Sequence, residues 1–320
     1  MENHIKIFAG NANRPLAEKI AARVGIPLSV ASIGRFPDGE ISVTYEETVR
    51  GRDVFIVQPT GLQPNEYLME LLIMADAARR ASAKRITAVM PFYAYARQDR
   101  KDRSRVPISA KLVANLLVAA GVDRVLTVDL HSPQIQGFFD IPVDHLYAAP
   151  LMVRYLREKL PAENRVVVAP DPGGLKMAYS YSQLLGAGLA LAGKHRTSAT
   201  EVEAIELVGD VKGKDCILTD DMTTTAGTLC AAAKLAKDHG AKSVRAVVSH
   251  CPITPLGIQR LKESAIEELI TTDTILPQAG WHGYAITILT VADLLGDAIK
   301  RIYGDESVSK LFEIHQGRTQ

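Results

Sequence analysis

The sequence has few cysteines and no pattern that pairs them. Its 320 residues include only three, Cys216, Cys230 and Cys251, and none lies in a C-x-x-C pair. An odd number without that spacing argues against a disulfide framework and against a structural zinc site. No Asn-x-Ser/Thr glycosylation acceptor occurs either. These absences indicate a protein that is not secreted.

Long hydrophobic runs are also missing. Uncharged, mostly apolar stretches such as residues 184–193, which number ten, are short, whereas a membrane-spanning helix needs about 20. The first residues, Met1 to Lys6, contain no apolar core of a signal peptide. We therefore expect a cytoplasmic protein with no membrane partner.

The chain has almost no net charge. Lys and Arg number 37 against 36 for Asp and Glu, which gives a formal net charge of +1. This balance provides no extended basic field for nucleic acid, so we expect no nucleic-acid partner. The 47% hydrophobic and 23% charged residues are ordinary for a globular chain and exclude disorder, collagen and coiled coil. The length predicts two domains at roughly 100–200 residues each.

Short β-branched runs alternate with longer stretches of helical periodicity. Apolar residues recur at helical spacing over Glu66–Ala83 and Ile108–Ala120, which predicts amphipathic helices. The predicted strands are Ile5–Ala9, Val54–Gln58, Ile86–Pro91, Val125–Asp129, Val166–Pro170, Cys216–Asp220 and Val244–Ser249. The alternation predicts an α/β fold with mostly parallel sheets.

Two sequence patterns recur in both halves of the chain. Gly51–Ile56 (GRDVFI) is matched by Gly213–Leu218 (GKDCIL), and Ala83–Val89 (AKRITAV) by Ala241–Val247 (AKSVRAV). We infer one α/β unit used twice, with the join near Tyr147–Pro150; chance similarity between such strands is the alternative. The predicted domains are 1–148 and 149–320, with the terminal helix expected to pack back on the first domain.

The strongest local signal is the segment Ile217–Leu229 (ILTDDMTTTAGTL). A hydrophobic strand runs into Asp220 and Asp221, then into a hydroxyl-rich turn and the start of a helix. A helix N-terminus favours phosphate through its free N–H groups and its dipole. The two carboxylates are better suited to sugar hydroxyls or a hydrated Mg²⁺. The pattern indicates a phosphorylated pentose; the alternative is solvated acids followed by a threonine N-cap.

This segment resembles the phosphoribosyl-binding motif of type I phosphoribosyltransferases. Gly34–Glu40, Tyr93–Arg105, Asp129–Ser132 and Gln136–Pro142 narrow the resemblance to class I ribose-phosphate pyrophosphokinases. The similarity extends from Phe8 to Phe312. It implies two tandem type I phosphoribosyltransferase-like domains. The implied reaction transfers the pyrophosphoryl group of ATP to the 1-hydroxyl of ribose 5-phosphate, which gives phosphoribosyl pyrophosphate and AMP for nucleotide biosynthesis.

The resemblance also assigns expected roles to individual residues. The expected ribose 5-phosphate site comprises Asp220, Asp221, Thr224, Thr225, Ala226, Gly227 and Thr228. The expected ATP site comprises Phe36, Asp38, Gly39, Glu40, Arg97, Gln98 and Asp99. The expected pyrophosphate loop comprises Asp171, Pro172, Gly173 and Gly174. Lys194 and Arg196 are the expected catalytic residues, and His131 and Asp171 the expected ligands of Mg²⁺. Effector binding, by ADP or phosphate, is expected at Arg50, Arg105, Ser307 and Ser309.

The catalytic assignment rests on charge. In the family, the lysine and arginine of the Lys194-His195-Arg196 segment lie on a mobile loop over the transferring phosphates, where cations stabilise the transition state. Without the resemblance, these three residues would be interpreted as solvent-exposed surface residues. A Walker P-loop is rejected for residues 188–194, because His195 replaces the required Ser/Thr and the preceding Leu/Ala/Gly run makes a poor strand.

The assignment of His131 as a metal ligand has a weaker chemical basis than that of Asp171. Mg²⁺ prefers oxygen ligands, so the residue type of His131 alone favours a substrate hydrogen bond or a core histidine. Asp171 is followed by two glycines, which let backbone N–H groups approach a pyrophosphate; a plain Pro-Gly turn is the alternative.

The resemblance implies a homo-oligomer, built from dimers and expected to be a hexamer, in which Phe36–Glu40 complete the ATP site of a neighbouring chain. Three departures from the family pattern stand out: Thr224 where an acid is common, and atypical segments at Ser249–Thr254 and Pro277–Tyr284.

Two other functions compete with this interpretation. One is a non-catalytic regulatory homologue of an active synthetase, and the other is a phosphoribosyltransferase that consumes the product. The retained Lys194, Arg196, His131 and Asp171 argue against the first, and the ATP-site segments argue against the second.

Overall fold

The computed structural model describes residues 4–195, 204–281 and 283–311. The chain divides into two compact units. Unit 1 contains the chain up to Tyr147, the short segment Thr274–Leu276 and the segment that begins at Thr290. Unit 2 contains Ala148–Asp273 and Pro277–Leu289. The chain therefore leaves unit 1, forms unit 2 and returns.

Strands and helices alternate along both units. The strands are β1 (Ile5–Ala9), β2 (Ala31–Arg35), β3 (Ile41–Tyr45), β4 (Asp53–Val57), β5 (Arg85–Met90), β6 (Arg124–Val128), β7 (Val143–Leu146), β8 (Arg165–Ala169), β9 (Gly188–His195), β10 (Ala204–Val208), β11 (Asp215–Met222), β12 (Ser243–His250), β13 (Glu268–Thr272) and β14 (Ile286–Leu289). The helices are α1 (Arg14–Val24), α2 (Pro64–Arg80), α3 (Ser109–Ala120), α4 (Ala149–Lys159), α5 (Leu175–Leu185), α6 (Gly227–Asp238), α7 (Pro255–Lys262) and α8 (Ala292–Tyr303).

Unit 1 contains a five-stranded sheet in the order β1-β4-β5-β6-β7. All its neighbouring strands pair in parallel. Strand β4 is buried throughout, which explains why Asp53–Val57 reads as a nearly continuous hydrophobic run. Strands β2 and β3 form a separate antiparallel hairpin. The parallel strands bring their carboxyl ends to one edge, where the loops that follow them begin.

Unit 2 contains a seven-stranded sheet in the order β10-β9-β8-β11-β12-β13-β14. Its neighbours pair in parallel except β10, which runs antiparallel to β9. Strand β11 therefore lies between β8 and β12, and the loops after these three strands leave from the same edge. The predicted α/β fold with mostly parallel sheets is confirmed.

The prediction of a poor strand before Lys194 is wrong. Residues 188–195 form β9, and the backbone of Lys194 pairs with Ile205 of β10. Ala190 and Ala192 are each only 2% exposed, so the small side chains fit a crowded position between two neighbouring strands. Strand formation here depends on those partners and not on intrinsic propensity. Lys194 and His195 were expected in a loop, but their backbone ends a strand.

Helix α8, the last α-helix of the described residues, packs against α1 within unit 1. Arg23 of α1 donates a hydrogen bond to Asp297 of α8 at 2.7 Å. A Cβ built on Gly296 would lie 2.6 Å from Cγ of Arg23 and 3.4 Å from the carbonyl oxygen of Ile20. The two helices therefore approach closely at Gly296. In the part of the chain that the structure describes, no helix is long and apolar enough to cross a membrane.

Candidate active site

The loop between β11 and α6, residues 223–226, is sharply turned and fixed by hydrogen bonds. The N–H of Thr223 donates to the carbonyl of His250 at 3.1 Å. Ala226 has a φ of +55°, a left-handed conformation that is uncommon for residues other than glycine. The carbonyl of Ala226 accepts a hydrogen bond from the N–H of Cys230 at 2.9 Å, which starts α6. The expected phosphate-binding segment thus opens a helix, as predicted.

The segment after β12 supports this loop. The carbonyl oxygen of Thr224 accepts hydrogen bonds from the N–H of Thr254 at 2.9 Å and from Thr254 Oγ1 at 3.2 Å. Arg260 Nη1 donates to the carbonyl oxygen of Thr225 at 3.2 Å. Thr254 is also the N-cap of α7, because its Oγ1 accepts from the N–H of Gly257 at 3.3 Å. Thr254 and Arg260 were not among the predicted site residues.

Two acids end strand β11 beside the loop. Asp220 is half-buried and Asp221 is buried, and Asp220 Oδ1 accepts a hydrogen bond from the N–H of Asp221 at 2.9 Å. Burial, followed by the charge and hydrogen bond of Asp221 and the charge of Asp171, raises the pKa of Asp220 to about 8. This edge of unit 2 concentrates carboxylates, so it favours a cation or hydroxyl donors there.

The expected pyrophosphate loop follows β8, the strand next to β11. Asp171 Oδ1 accepts a hydrogen bond from the N–H of Gly174 at 3.1 Å, which caps a short 3-10 turn over Pro172–Gly174. A Cβ on Gly173 would lie 3.1 Å from this carboxylate oxygen. The N–H of Gly174 is therefore used within the loop, and Pro172 and Gly173 are exposed.

The expected ATP-site segments both lie in unit 1. Residues 36–40, which include Phe36, Asp38, Gly39 and Glu40, form the tip of the β2–β3 hairpin, with Gly39 at a φ of +95°. Phe36 is 55% exposed at this tip. Arg97, Gln98 and Asp99 lie in the loop between β5 and α3, where the carbonyl of Gln98 accepts from the N–H of Ala110 at 3.1 Å. The Phe36 ring is available to a flat ligand.

His131 follows β6 at the carboxyl edge of the unit 1 sheet. Its side chain is exposed, and the chain turns just before it, with Asp129 at a φ of +39°. The N–H of Leu130 donates to Nε2 of the buried His145 at 2.9 Å, which holds this turn against β7. His131 thus lies at the sheet edge where ligands of open α/β sheets bind.

The two expected catalytic residues are only partly described. The backbone of Lys194 belongs to β9, but its side chain is not described. Arg196 lies outside the described residues. Their catalytic roles stay predictions.

The expected effector residues are exposed in unit 1. Arg50, Arg105, Ser307 and Ser309 all have exposed side chains, and Arg105 has a φ of +65°. The carbonyl oxygen of Ser307 accepts from Arg301 at 3.2 Å. A cavity of about 270 Å³ adjoins Ser307 and is lined by Arg124, Asp144, Ile302, Asp305, Glu306 and Val308. The lining is rich in acidic side chains, and the charge of Arg124 is paired with Asp144 at 2.6 Å. The cavity therefore does not favour binding of a phosphate.

The structure has two α/β units with mostly parallel sheets. In one of them a strand ends in two acidic residues and is followed by a loop that begins a helix. These features define the type I phosphoribosyltransferase-like class. Within it, residues 5–121 match the N-terminal domain of ribose phosphate pyrophosphokinase, and residues 194–313 match the phosphoribosyl synthetase-associated domain.

Individual relatives are similar in sequence to this protein over nearly the whole chain. A ribose-phosphate pyrophosphokinase of Clostridium perfringens is 52% identical over 318 residues, which cover 98% of this chain and all of that protein (100%). One of Chlorobaculum tepidum is 50% identical over 315 residues, with 98% and 96% covered. The crystal structure of phosphoribosylpyrophosphate synthetase from Mycobacterium smegmatis has a TM-score of 0.90 at 43% identity, over 94% of this chain and 99% of that one.

The chain belongs to the ribose-phosphate pyrophosphokinase family. It is an enzyme that transfers the pyrophosphoryl group of ATP to the 1-hydroxyl of ribose 5-phosphate and forms phosphoribosyl pyrophosphate. The predicted family and activity are confirmed.

Proposed function

We propose that unit 2 binds ribose 5-phosphate through Asp220, Asp221 and the segment Thr224–Thr228. The observation that carries this assignment is the β11–α6 loop, which opens a helix directly beside two carboxylates. The loop and the start of α6 bind the 5-phosphate, because unpaired N–H groups and the helix dipole favour an anion there. The carboxylates of Asp220 and Asp221 accept hydrogen bonds from ribose hydroxyls. This arrangement fixes the sugar and presents its 1-hydroxyl.

The reaction needs little covalent chemistry from the protein. The 1-hydroxyl oxygen attacks the β-phosphorus of ATP and loses its proton to solvent, the bond from this phosphorus to the α,β-bridging oxygen breaks, and AMP leaves with that oxygen. Fixing the two substrates in line converts an encounter in solution into a reaction within one complex, which lowers the barrier. Lys194 and Arg196 stabilise the charge that develops on the transferring oxygens.

The residues at the carboxyl edge of unit 2 fit Mg²⁺. Asp171 and Asp220 supply oxygen donors, which this ion prefers, and the charge of Asp171 is close enough to contribute to the raised pKa of Asp220. Within the described ranges, no group of three or more His, Cys, Asp or Glu side chains gathers to hold a metal. Mg²⁺ is usually held by one or two carboxylates together with substrate phosphates, so this number of protein ligands is sufficient.

We assign Asp171 as a metal ligand and His131 as the expected ligand of the ion that carries ATP. When bound, the ion neutralises charge on the phosphates during transfer. The side chain of Asp171 is oriented for this role by the N–H of Gly174, which donates to its Oδ1.

On the donor side, we propose that Phe36 stacks on adenine, that Arg97 contacts phosphate and that Phe36–Glu40 are contributed by a neighbouring chain. The protein then acts as a homo-oligomer built from dimers, with a hexamer as the expected form. ADP and phosphate are the proposed effectors, acting through Arg50, Arg105, Ser307 and Ser309.

Phosphorus NMR tests the proposed reaction and the catalytic pair together. Wild-type protein with Mg²⁺, ATP and ribose 5-phosphate should give AMP and a pyrophosphorylated sugar. Lys194→Ala should lower turnover by about 10³, as in related phosphoryl transfer, with ribose 5-phosphate affinity nearly unchanged. Equal losses in turnover and affinity would contradict the role of Lys194. A folded wild-type oligomer that forms neither product would favour the regulatory homologue.

Subunit mixing tests the shared ATP site. Phe36→Ala and Arg97→Ala proteins should each be weakly active, and their mixed oligomers should regain activity, since one interface then carries both native residues. No recovery after verified subunit exchange would place all ATP-site residues in one chain.

A further inference from the structure

Helix α7 lies behind the β11–α6 loop and binds two successive carbonyl groups of it. Thr254 donates twice to the carbonyl oxygen of Thr224, from its N–H and from its Oγ1. Arg260, further along the same segment, donates to the carbonyl oxygen of Thr225. Both contacts come from the segment after β12, the neighbour of β11 in the sheet.

These bonds determine where the N–H groups of the loop point. In a trans peptide the carbonyl and the N–H of the next residue point in opposite directions, and the structure describes no cis peptide in this segment. With the carbonyls of Thr224 and Thr225 directed at α7, the N–H groups of Thr225 and Ala226 point away from it. Two adjacent donors are thereby held on the opposite side of the loop, as an anion site requires.

The packing leaves little room for the β11–α6 loop to adopt another conformation against α7. A Cβ built on Gly257 would lie 2.8 Å from the carbonyl oxygen of Thr224 and 2.5 Å from Ile253 Cγ1. A Cβ on Gly227 would lie 3.2 Å from Arg260 Nη1. The backbone of α7 and the guanidinium therefore touch the loop directly at both ends.

Arg260 places a positive charge where a helix disfavours one. Its guanidinium lies at the N-terminus of α6, whose dipole repels cations. Its side chain is exposed and, among the residues that the structure describes, has one hydrogen bond, to the carbonyl of Thr225. A bound phosphate dianion would satisfy both the dipole and this charge.

We propose that Thr254 and Arg260 are positioning residues for sugar-phosphate binding: they orient the N–H groups of the β11–α6 loop, and Arg260 adds positive potential. The inference rests on the proposed binding of ribose 5-phosphate at this loop. The segment Ser249–Thr254, which departs from the family pattern, then supports substrate binding.

The test measures the dissociation constant of ribose 5-phosphate by calorimetry on the full-length protein, with the KM values for both substrates. Thr254→Val, which removes the hydroxyl donor, should weaken ribose 5-phosphate binding about tenfold, whereas Thr254→Ser should bind like wild type. Arg260→Gln should weaken binding by a similar factor. The KM for ATP should change less than about twofold in all of these variants, because the proposed ATP-site residues lie in other segments of the chain.

Lys262→Gln is the matched control, since it removes one exposed positive charge from the same helix without a contact to the loop. Equal weakening by Arg260→Gln and Lys262→Gln would overturn the specific role of Arg260. Equal affinity of the Val and Ser variants would overturn the role of the Thr254 hydroxyl. If Thr254→Val fails to fold, the exposed Arg260→Gln decides the question. No binding of ribose 5-phosphate by wild type would instead reject the proposed function.

Discussion

At the scale of single residues, Asp220 has a strongly perturbed carboxyl group at the site. Its ordinary pKa of 3.8 is raised to about 8, first by burial and then by Asp221 and Asp171. Between these values the folded protein binds a proton that the unfolded chain does not. The contribution of this group to stability therefore falls as the pH rises from about 4 to about 8.

Asp220→Asn should make the metal-free protein more stable at pH 8 and less sensitive to pH. The amide keeps the shape of the side chain but carries no charge, so the repulsion among the carboxylates is relieved. We expect the unfolding midpoint at pH 8 to rise by a few degrees relative to wild type, with little difference at pH 5. Thermal unfolding with a chelator present at several pH values measures this.

Asp210→Asn is the control, because Asp210 is 74% exposed in its side chain and lies in the same unit. An Asp220→Asn protein with the same pH dependence as wild type would contradict the raised pKa.

Glu268 shows the opposite behaviour at the start of β13. Burial acts to raise its pKa, but hydrogen bonds from Thr287 and Tyr155 and the charges of Lys159 and Arg245 outweigh burial and lower it. Tyr155 Oη and Thr287 Oγ1 each donate to Glu268 Oε1 at 2.6 Å. This group stabilises the fold at neutral pH, and the contribution is lost as the pH falls through the lowered pKa.

Glu268→Gln should destabilise the protein at pH 7 by about 1–3 kcal/mol, with a smaller effect at an acid pH below the lowered pKa, where the wild-type carboxyl has become protonated. Urea unfolding at the two pH values measures the difference in free energy of unfolding. An equal loss at both would show that the carboxylate charge does not matter. The exposed Glu263→Gln, also in unit 2, controls for the general loss of one acid.

At the scale of elements, the β2–β3 hairpin projects an aromatic side chain. Arg35 anchors it, because its guanidinium pairs with Glu66 of α2 and donates to the carbonyl of Gly39 at 2.9 Å. The tip is thus held from both strands and from α2, while the Phe36 ring stays 55% exposed. A fixed backbone with an exposed ring suits stacking on a flat base.

Phe36→Ala should raise the KM for ATP about tenfold, since stacking of a base on an aromatic ring contributes about 1–3 kcal/mol. The KM for ribose 5-phosphate should be unchanged. Val30→Ala removes a similarly exposed apolar side chain, 54% exposed, just before β2 and should leave both constants alone. Steady-state kinetics with each substrate varied in turn provides the comparison, and equal effects of the two variants would argue against stacking.

The strands predicted from β-branched runs agree with the structure because they are buried on both faces. The predicted Val166–Pro170 is β8 over Arg165–Ala169, and the predicted Cys216–Asp220 lies within β11. The hairpin strands β2 and β3 were not predicted, because Ala31–Arg35 contains Ser, Gly and Arg and is only partly buried. Strand β9 was rejected because Ala and Gly are weak strand formers, and only the neighbouring strands stabilise it there.

The residues of the candidate site that are contiguous in the sequence were predictable. Those that are brought to it by the pairing of neighbouring strands were not. Asp220 through Thr228 is one continuous motif, so the sequence alone could indicate it as a candidate. Thr254 and Arg260 belong to a different segment and act on the loop through the pairing of β11 with β12. The sequence did contain a signal for this second segment, because Thr254-Pro255 is a typical helix start after a predicted strand. Parallel strands place the loops that follow them at one edge of the sheet, so this segment could have been expected near the motif.

At the scale of the whole molecule, the packing of α8 on α1 ties the end of the described chain to unit 1. Gly296 lies at the point of closest approach, with Arg23 and Ile20 within contact distance of a built Cβ. A methyl group there would force the helices apart or displace the stem of Arg23.

Gly296→Ala should lower the free energy of unfolding by about 1–3 kcal/mol, although Ala is the better helix former by about 1 kcal/mol. Gly137→Ala, where a built Cβ meets no atom within 4 Å, should be neutral. Chemical denaturation of both proteins gives the values. Stabilisation by Gly296→Ala would show that the helices are not in close contact.

The return of the chain to unit 1 bears on the order of events during synthesis. Helix α1 leaves the ribosome before unit 2 is made, but α8 emerges only after all of unit 2 has been made. Until then, the apolar face of α1 that α8 covers stays open to solvent or to a chaperone. Unit 1 therefore begins to be synthesised before unit 2 but is completed after it, and a chain that ends between residues 289 and 292 would contain all of unit 2 and lack α8 of unit 1.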